Sequence, residues 1–174
     1  MPKASRTIAC LTLASALLGA GPASAQDDTI KRIQRNPQAL ILDAARVRAG
    51  ADMLYLSGQL PSPIDPAKPM AQATSWEDYG DTKTQTISTL AKIKSILEGE
   101  GYTMADLVKL SLFVTADPRT GKMDFAGVNE GFRTFFKTAD NPTTVARSTF
   151  EVAGLVGPQF LIEIEAIAAR KPAD

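Results

Sequence analysis

Alternating apolar and polar residues form the clearest local pattern in this sequence. Residues 106–115 read D-L-V-K-L-S-L-F-V-T, which is typical of a half-buried strand. One face of that strand carries Val108, Leu110, Leu112 and Val114. Similar patterns predict strands over residues 39–48, 52–57, 143–152 and 159–169. Gly50 and Ala51, between the first two of these, indicate a hairpin.

Two other segments repeat with the period of an α-helix. Asp81 or Thr82 can cap a helix that runs to about Glu100, and Gly99 and Gly101 supply its stop. Its expected apolar stripe comprises Ile87, Leu90, Ala91, Lys94 and Leu97, with Ile93 and Ile96 beside it. The second helix, over residues 123–136, places five apolar side chains at helical spacing: Phe125, Val128, Phe132, Phe135 and Phe136. This spacing favours a core role over a ligand cage.

Residues 60–80 separate the strands at the start of the chain from the first helix. Four prolines, at positions 61, 63, 66 and 69, forbid regular structure there. The sequence therefore predicts a long loop that continues through Trp76 and Tyr79. Loops of this length in compact domains are usually functional or flexible.

The predicted elements follow the order β-β-α-β-α-β-β, an α+β fold in which two helices cover one face of a mixed sheet. The other sheet face stays uncovered in a single chain. On the 106–115 strand this open face carries Leu107, Lys109, Ser111 and Phe113. Because such a face is too apolar for open water, the pattern predicts oligomerisation.

Composition narrows the possible chemistry. The chain has 174 residues, 19 basic and 19 acidic residues, no His and one Cys, Cys10. Without His, the chain cannot form a Ser-His-Asp triad, a His-ligated metal site or a His general base. We therefore expect no metal or organic cofactor, and any catalysis must use carboxylates, Arg, Lys, hydroxyls or backbone amides. The neutral net charge argues against nucleic acid as a partner.

The first 25 residues have the pattern of a secretory signal peptide. Lys3 and Arg6 precede an apolar segment, and Ala23-Ser24-Ala25 matches a cleavage site. A membrane anchor is the alternative, but the apolar run is short and is broken by Gly19, Gly21 and Pro22. We expect cleavage after Ala25, export, and a periplasmic location in a two-membrane bacterium. Residues 26–38 are polar and charged, and we expect a flexible, frayed segment.

Charged residues interrupt the last two predicted strands. Arg147 shares a face with Thr149, whereas Glu163 and Glu165 share a face of the final strand. If these strands pair as a hairpin, Arg147 and one glutamate can lie on the same side. Two interpretations are open for these residues. They form either a cross-strand salt bridge on a solvated face, which is a structural role, or part of an active site. Ser57, before Gly58, is equally open to a local hydrogen-bonding role.

Six segments in one order resemble the Rid (YjgF-like) family of reactive-imine deaminases. They are L-Y-L-S-G-Q at 54–59, Q-T-I-S-T-L at 85–90, D-L-V-K-L-S-L-F-V at 106–114, V-N at 128–129 with F-F at 135–136, A-R-S-T-F-E-V at 146–152 and I-E-I-E-A-I-A at 162–168. The resemblance covers residues 39–174 and implies one domain with a chorismate-mutase-like fold. It also implies a homotrimer whose ligand sites lie between subunits.

The resemblance assigns roles residue by residue. Arg147 falls on the family's substrate-binding arginine, and Glu163 on its water-positioning, catalytic glutamate. Ser57, Gly58 and Asn129 fall on further substrate-binding positions.

The sequence departs from the family pattern in three places. Ala45 stands where many deaminating members have a tyrosine, and Thr149 where some have a reactive cysteine. The 60–80 loop is also longer than usual. An aromatic side chain of this loop, Trp76 or Tyr79, either replaces the tyrosine or packs the loop down, and packing is the favoured interpretation.

Two functional hypotheses follow. The first is a hydrolase, similar to 2-iminobutanoate/2-iminopropanoate deaminases, that converts imino or enamine acids to 2-keto acids and ammonia. The second is a non-catalytic trimer that binds small carboxylates through Arg147. RNA cleavage, a third activity associated with relatives, is disfavoured by the neutral charge, the lack of His and the predicted export.

Overall fold

The computed structural model describes residues 29–172, so the predicted signal peptide and its cleavage site lie outside the described residues. Within them the chain forms six strands and two α-helices. The strands are β1 (Ile30–Ile33), β2 (Ala44–Val47), β3 (Asp52–Gln59), β4 (Leu107–Val114), β5 (Ala146–Glu151) and β6 (Ile162–Arg170). The helices are α1 (Thr82–Gly99) and α2 (Phe125–Arg133).

Strands β3, β6, β4 and β5 form the main sheet in that order. Strand β6 is antiparallel to both β3 and β4, whereas β5 is parallel to β4. Helix α2 connects β4 to β5, and a helical crossover of this kind is what allows parallel pairing. The predicted mixed α+β fold is confirmed.

One hydrophobic core lies between the helices and one face of the main sheet. Strand β4 contributes Leu110, Leu112 and Val114, and helix α1 contributes Leu90, Ile93 and Leu97. Val128, Phe132 and Phe136 enter the same core from α2 and the turn after it. The core role expected for these phenylalanines is confirmed, except that Phe125 is 46% exposed.

The N-terminal strands differ from the sequence prediction. The expected frayed segment contains β1, which pairs antiparallel with β2. The strand expected over residues 39–48 is shorter, and the predicted hairpin between it and β3 is wrong because these strands belong to separate sheets. Gly50 has φ +83° and supports the turn that separates them.

The last two strands also do not form the hairpin that their order suggested. Strand β4 lies between them and pairs with both. The two most apolar strands, β4 and β6, therefore occupy the middle of the sheet, where both faces are best shielded. The more polar strands β3 and β5 lie at its edges.

Helix α1 buries a different stripe from the one expected. Ile87 is half-buried and Ala91 and Lys94 are exposed, whereas Gln85 and Thr89 are fully buried. Their polar groups are satisfied internally, which makes this burial possible. The Gln85 amide donates to the carbonyls of Gly80 and Gln159 and accepts from the Leu161 amide, while the Thr89 hydroxyl donates to the Gln85 carbonyl.

The predicted long loop before α1 is confirmed and contains one short 3-10 helix, Trp76–Asp78. Tyr79 is fully buried and packs edge-on against Phe160, with ring centres 5.0 Å apart. The Arg119 guanidinium lies 5.5 Å from the centre of the Trp76 ring. For Tyr79 the packing interpretation is therefore confirmed.

Candidate functional site

Arg147 is positioned by helix α2 and by its own strand, β5. Its Nη2 donates a hydrogen bond of 2.7 Å to Oδ1 of Asn129. Its guanidinium carbon lies 4.7 Å from the ring centre of Phe132 and 5.8 Å from that of Phe125. A cation held over aromatic faces keeps a fixed orientation while remaining charged. The structure thus brings together two of the predicted site residues, Arg147 and Asn129.

The Arg147 guanidinium has bonding capacity that the chain does not use. Its Nε and Nη1 atoms are buried and have no hydrogen-bond partner within residues 29–172. The same holds for the hydroxyl of Thr149, two residues along β5 and on the same face of the strand. Buried polar atoms without partners are rare in native proteins, and they point to a group that completes them.

Among the described residues, no acid compensates the charge of Arg147. Burial and, to a smaller degree, the nearby positive charge of Arg133 together lower the pKa of Arg147 to about 10. No ion pair is recorded for Arg147 with any residue between 29 and 172. Below pH 10 this side chain is a cation that lacks an anion, which suits it to a carboxylate ligand.

Glu163, Gly58 and Ser57 form a second group of predicted site residues. Glu163 lies directly over Gly58, so that a Cβ atom at position 58 would overlap the Glu163 carboxylate. The bulge in the β3–β6 pairing lies between Leu56 and Gln59 and thus includes Ser57 and Gly58. The Glu163 side chain is half-buried and Ser57 is exposed.

A shallow depression of about 290 Å³ adjoins this second group on the open sheet face. Ser57, Lys109, Ser111 and Glu165 supply its polar lining. The Lys109 Nζ donates to the Ser148 hydroxyl at 2.6 Å. The depression can therefore offer hydroxyls, an ammonium and a carboxylate to a small polar ligand.

Within one chain these two groups lie on opposite sides of the main sheet. Arg147 is in register with Leu110, whose side chain enters the core beneath the helices. Glu163 is in register with Phe113, one side-chain alternation away, on the open face. Arg147 and a glutamate of the last strand could share a side only if the last two strands paired as a hairpin, and that condition is not met because β4 lies between them.

The open face of the sheet is partly apolar, as predicted, although its composition differs. Phe113 and Phe150 stack with ring centres 6.0 Å apart, and Phe150 is 50% exposed. Tyr55 is 70% exposed. Leu107, expected on this face, is buried because the β4–β6 register shifts between Leu107 and Lys109 and turns it into the core.

Two site features escaped the sequence reasoning. The sequence placed Thr149 on the Arg147 face of β5, but it gave no sign that the Thr149 hydroxyl is buried without a hydrogen-bond partner in residues 29–172. Phe132 was recognised as core but not as a platform for Arg147.

The position of the expected tyrosine carries no aromatic group. Ala45 lies in β2 and is half-buried. Tyr79, one of the two loop aromatics considered as a replacement, is enclosed in a separate small core with Ala73 and Phe160. Its hydroxyl is buried and unpartnered there.

The described part of the chain shows no group of three or more His, Cys, Asp or Glu side chains arranged to hold a metal ion. None of the helices formed by residues 29–172 has the length and apolar character needed to cross a bilayer.

Residues 43–170 match a family model described as endoribonuclease L-PSP. The chain is 40% identical over 119 residues to 2-iminobutanoate/2-iminopropanoate deaminase of Salmonella typhimurium, covering 68% of this chain and 80% of that protein. The E. coli TdcF structure with bound serine is 30% identical, with a TM-score of 0.52, over 80% of this chain and 99% of that one. The Rid-family protein YyfB of Yersinia pestis has a TM-score of 0.60 at 23% identity, over 82% and 99%, and shares the fold. The family match spans most of the chain and includes every candidate site residue described above, so the protein belongs to the Rid (YjgF) family, known also as endoribonuclease L-PSP.

Proposed function

We propose that this protein is a hydrolytic deaminase of reactive 2-imino and enamine acids. Water adds to the carbon of the C=N bond, the C–N bond then breaks, and the products are a 2-keto acid and ammonia. The observation that carries the proposal is the Arg147 guanidinium, which Asn129 holds and which pairs with no anion among residues 29–172. The 40% identity to a protein named 2-iminobutanoate/2-iminopropanoate deaminase supports the same reaction class.

Arg147 would bind the carboxylate next to the C=N group. A guanidinium can contact both carboxylate oxygens at once, which fixes the adjacent carbon in space. Phe132 and Asn129 hold the guanidinium in place before the substrate arrives, so less conformational entropy is lost on binding. Thr149 offers a further hydroxyl on the same side.

Glu163 would orient the attacking water and accept its proton. The chain has no His, and a half-buried carboxylate is the best general base among the predicted site residues. Ser57, next to Gly58, would hydrogen-bond the substrate nitrogen or a carboxylate oxygen. A protonated imine is already electrophilic, so positioning accounts for the acceleration and no covalent nucleophile is required.

The two groups of site residues would meet between copies of the chain. Arg147 and Glu163 are on opposite faces of one sheet, so one substrate can reach both only if a neighbouring copy supplies the second. The open face carries exposed Phe150 and Tyr55 that association would cover. The family resemblance supports three copies around an axis. The N-terminal pattern supports export of this trimer, with oxidation of amino acids outside the cytosol as the imine source.

The decisive experiment is a coupled assay. An amino-acid oxidase generates imines, and semicarbazide trapping reports their lifetime with and without the protein. We expect the protein to shorten that lifetime. Arg147→Lys keeps the positive charge but loses the planar guanidinium that can contact both carboxylate oxygens, so this variant should lose most of the activity. Glu163→Gln should lower turnover more than it lowers affinity for a keto acid.

Two outcomes would redirect the assignment. If both variants act at the wild-type rate, the site lies elsewhere. If the wild type binds keto acids but leaves imine lifetimes unchanged, the protein is the carboxylate-binding trimer, a role that the absence of an aromatic side chain at Ala45 favours.

A further inference from the structure

A second arginine lies near Arg147, the residue proposed to bind the substrate carboxylate. Arg133 is the last residue of α2 and follows Asn129 by four positions. Residues spaced by four lie on the same face of a helix, and Asn129 marks the face that meets Arg147. Arg133 therefore lies on the Arg147 side of α2, close enough for its charge to act on Arg147.

This pair of arginines has no counter-ion in the part of the chain that the structure describes. Among residues 29–172, Arg35, Arg119 and Arg170 each pair with an aspartate. No such pair is recorded there for Arg133 or Arg147. Two neighbouring cations without an anion repel each other, and a single carboxylate on Arg147 leaves the charge of Arg133 uncompensated. A ligand with two carboxylates would neutralise both.

We propose that Arg133 makes the site selective for dicarboxylates, so that the preferred substrates are 2-imino acids derived from acidic amino acids. The inference rests on the function proposed above and specifies its substrate class. Arg147 binds the carboxylate beside the C=N carbon, in the more buried position. Arg133, which is exposed at the end of α2, binds the side-chain carboxylate at the rim. The reaction is unchanged: water is consumed, and a dicarboxylic 2-keto acid and ammonia are released.

A purely structural role for Arg133 is the alternative to the proposed role in ligand selectivity. A cation in the last turn of a helix interacts favourably with the helix dipole. That role affects the stability of the fold but does not depend on whether the ligand has one carboxylate or two. Ligand selectivity therefore separates the two explanations.

The first test measures binding of two keto acids to the mature protein by calorimetry: 2-oxoglutarate, with two carboxylates, and 2-oxobutanoate, with one. We expect 2-oxoglutarate to bind about two- to fivefold more tightly. Arg133→Gln should bring the two dissociation constants together, and Arg133→Lys should retain most of the difference. Lys122→Gln, which removes an exposed cation from a turn, is the matched control and should preserve the wild-type ratio.

The binding ratio decides the inference. Equal affinities in the wild type, or an Arg133→Gln variant that keeps the wild-type ratio, would overturn it. A stability measurement on Arg133→Gln accompanies the titrations, because a loss of stability with no change in ratio identifies the helix-dipole role.

The second test separates this inference from the proposed function. Imines of glutamate and of alanine are generated by oxidases and trapped with semicarbazide. If neither lifetime is shortened, the deaminase proposal fails, while the binding ratio still decides dicarboxylate selectivity. If both are shortened and Arg133→Gln slows both equally, the deaminase proposal stands and the selectivity of Arg133 is refuted.

Discussion

The side-chain oxygen of Asn129 accepts a 2.7 Å hydrogen bond from Arg147 and joins helix α2 to the edge strand β5. An amide oxygen is a neutral acceptor, so it orients the guanidinium without cancelling its charge. A carboxylate at this position would orient the guanidinium and also cancel its charge. This single contact therefore keeps Arg147 both fixed and available to an anionic ligand.

Asn129→Asp should lower ligand affinity while stabilising the fold. The new carboxylate would pair with Arg147 and compete with the ligand, raising the dissociation constant for 2-oxobutanoate at least tenfold. The same pairing should raise the urea midpoint, since it compensates a buried charge. Asn129→Ala is the control, with a smaller loss of affinity and no gain in stability. Equal behaviour of the two variants would contradict this account.

Arg147→Met should abolish ligand binding without destabilising the protein. Burial lowers the pKa of Arg147, which means that the folded state disfavours its charged form. That cost is present at every pH well below about 10 and fades as the pH rises toward the unfolded value. The variant avoids the cost, so its urea midpoint between pH 6 and 9 should equal or exceed that of the wild type. A decrease of more than about 2 kcal/mol in the free energy of unfolding would show that the aromatic contacts of Arg147 stabilise the fold by more than burial of its charge costs.

Gly58→Ala should impair turnover more than binding. The added Cβ would overlap the Glu163 carboxylate, which must move away from Gly58. Because a side chain rather than backbone is displaced, the fold should survive, as circular dichroism would show. Deamination should fall about tenfold or more while keto-acid affinity changes little. Gly154→Ala is the matched control, since an added Cβ there meets nothing within 4 Å.

Phe150→Glu should dissociate the proposed trimer. Phe150 is 50% exposed and stacks on Phe113 in the open sheet face, so a charge there would be buried on association. Light scattering should report a trimer for the wild type and a monomer for the variant, with imine deamination lost as well. Val156→Glu alters a residue that is 78% exposed in the loop between β5 and β6, and the trimer should persist. A monomeric wild type at micromolar concentration would refute the shared site.

The predicted signal peptide should be removed after Ala25 in the native host. Mass spectrometry of the purified protein should then show Gln26 at its N-terminus, and cell fractionation should locate it with exported proteins. Retention of Met1, or a lipid on Cys10, would contradict the prediction.

Features that depend on neighbouring residues in the chain were predictable from the sequence. The alternation in 107–114 identified β4 and its buried face. Asp81 was one of the two caps expected for α1, and it accepts from the Thr84 amide. Arg147, Asn129, Ser57, Gly58 and Glu163 became candidates through the family resemblance, because the patterns alone left structural roles open for them.

The arrangement of strands was decided only in three dimensions. The consecutive strands β5 and β6 could have paired as a hairpin, but β4 lies between them. The apolar strands take the centre of the sheet, and the α2 crossover allows β5 to run parallel to β4. That placement puts Arg147 beneath the helices and Glu163 on the open face. Side chains of adjacent strands alternate between the two faces, so the partner and the register of a strand, which its own sequence does not determine, decide on which side each functional group lies.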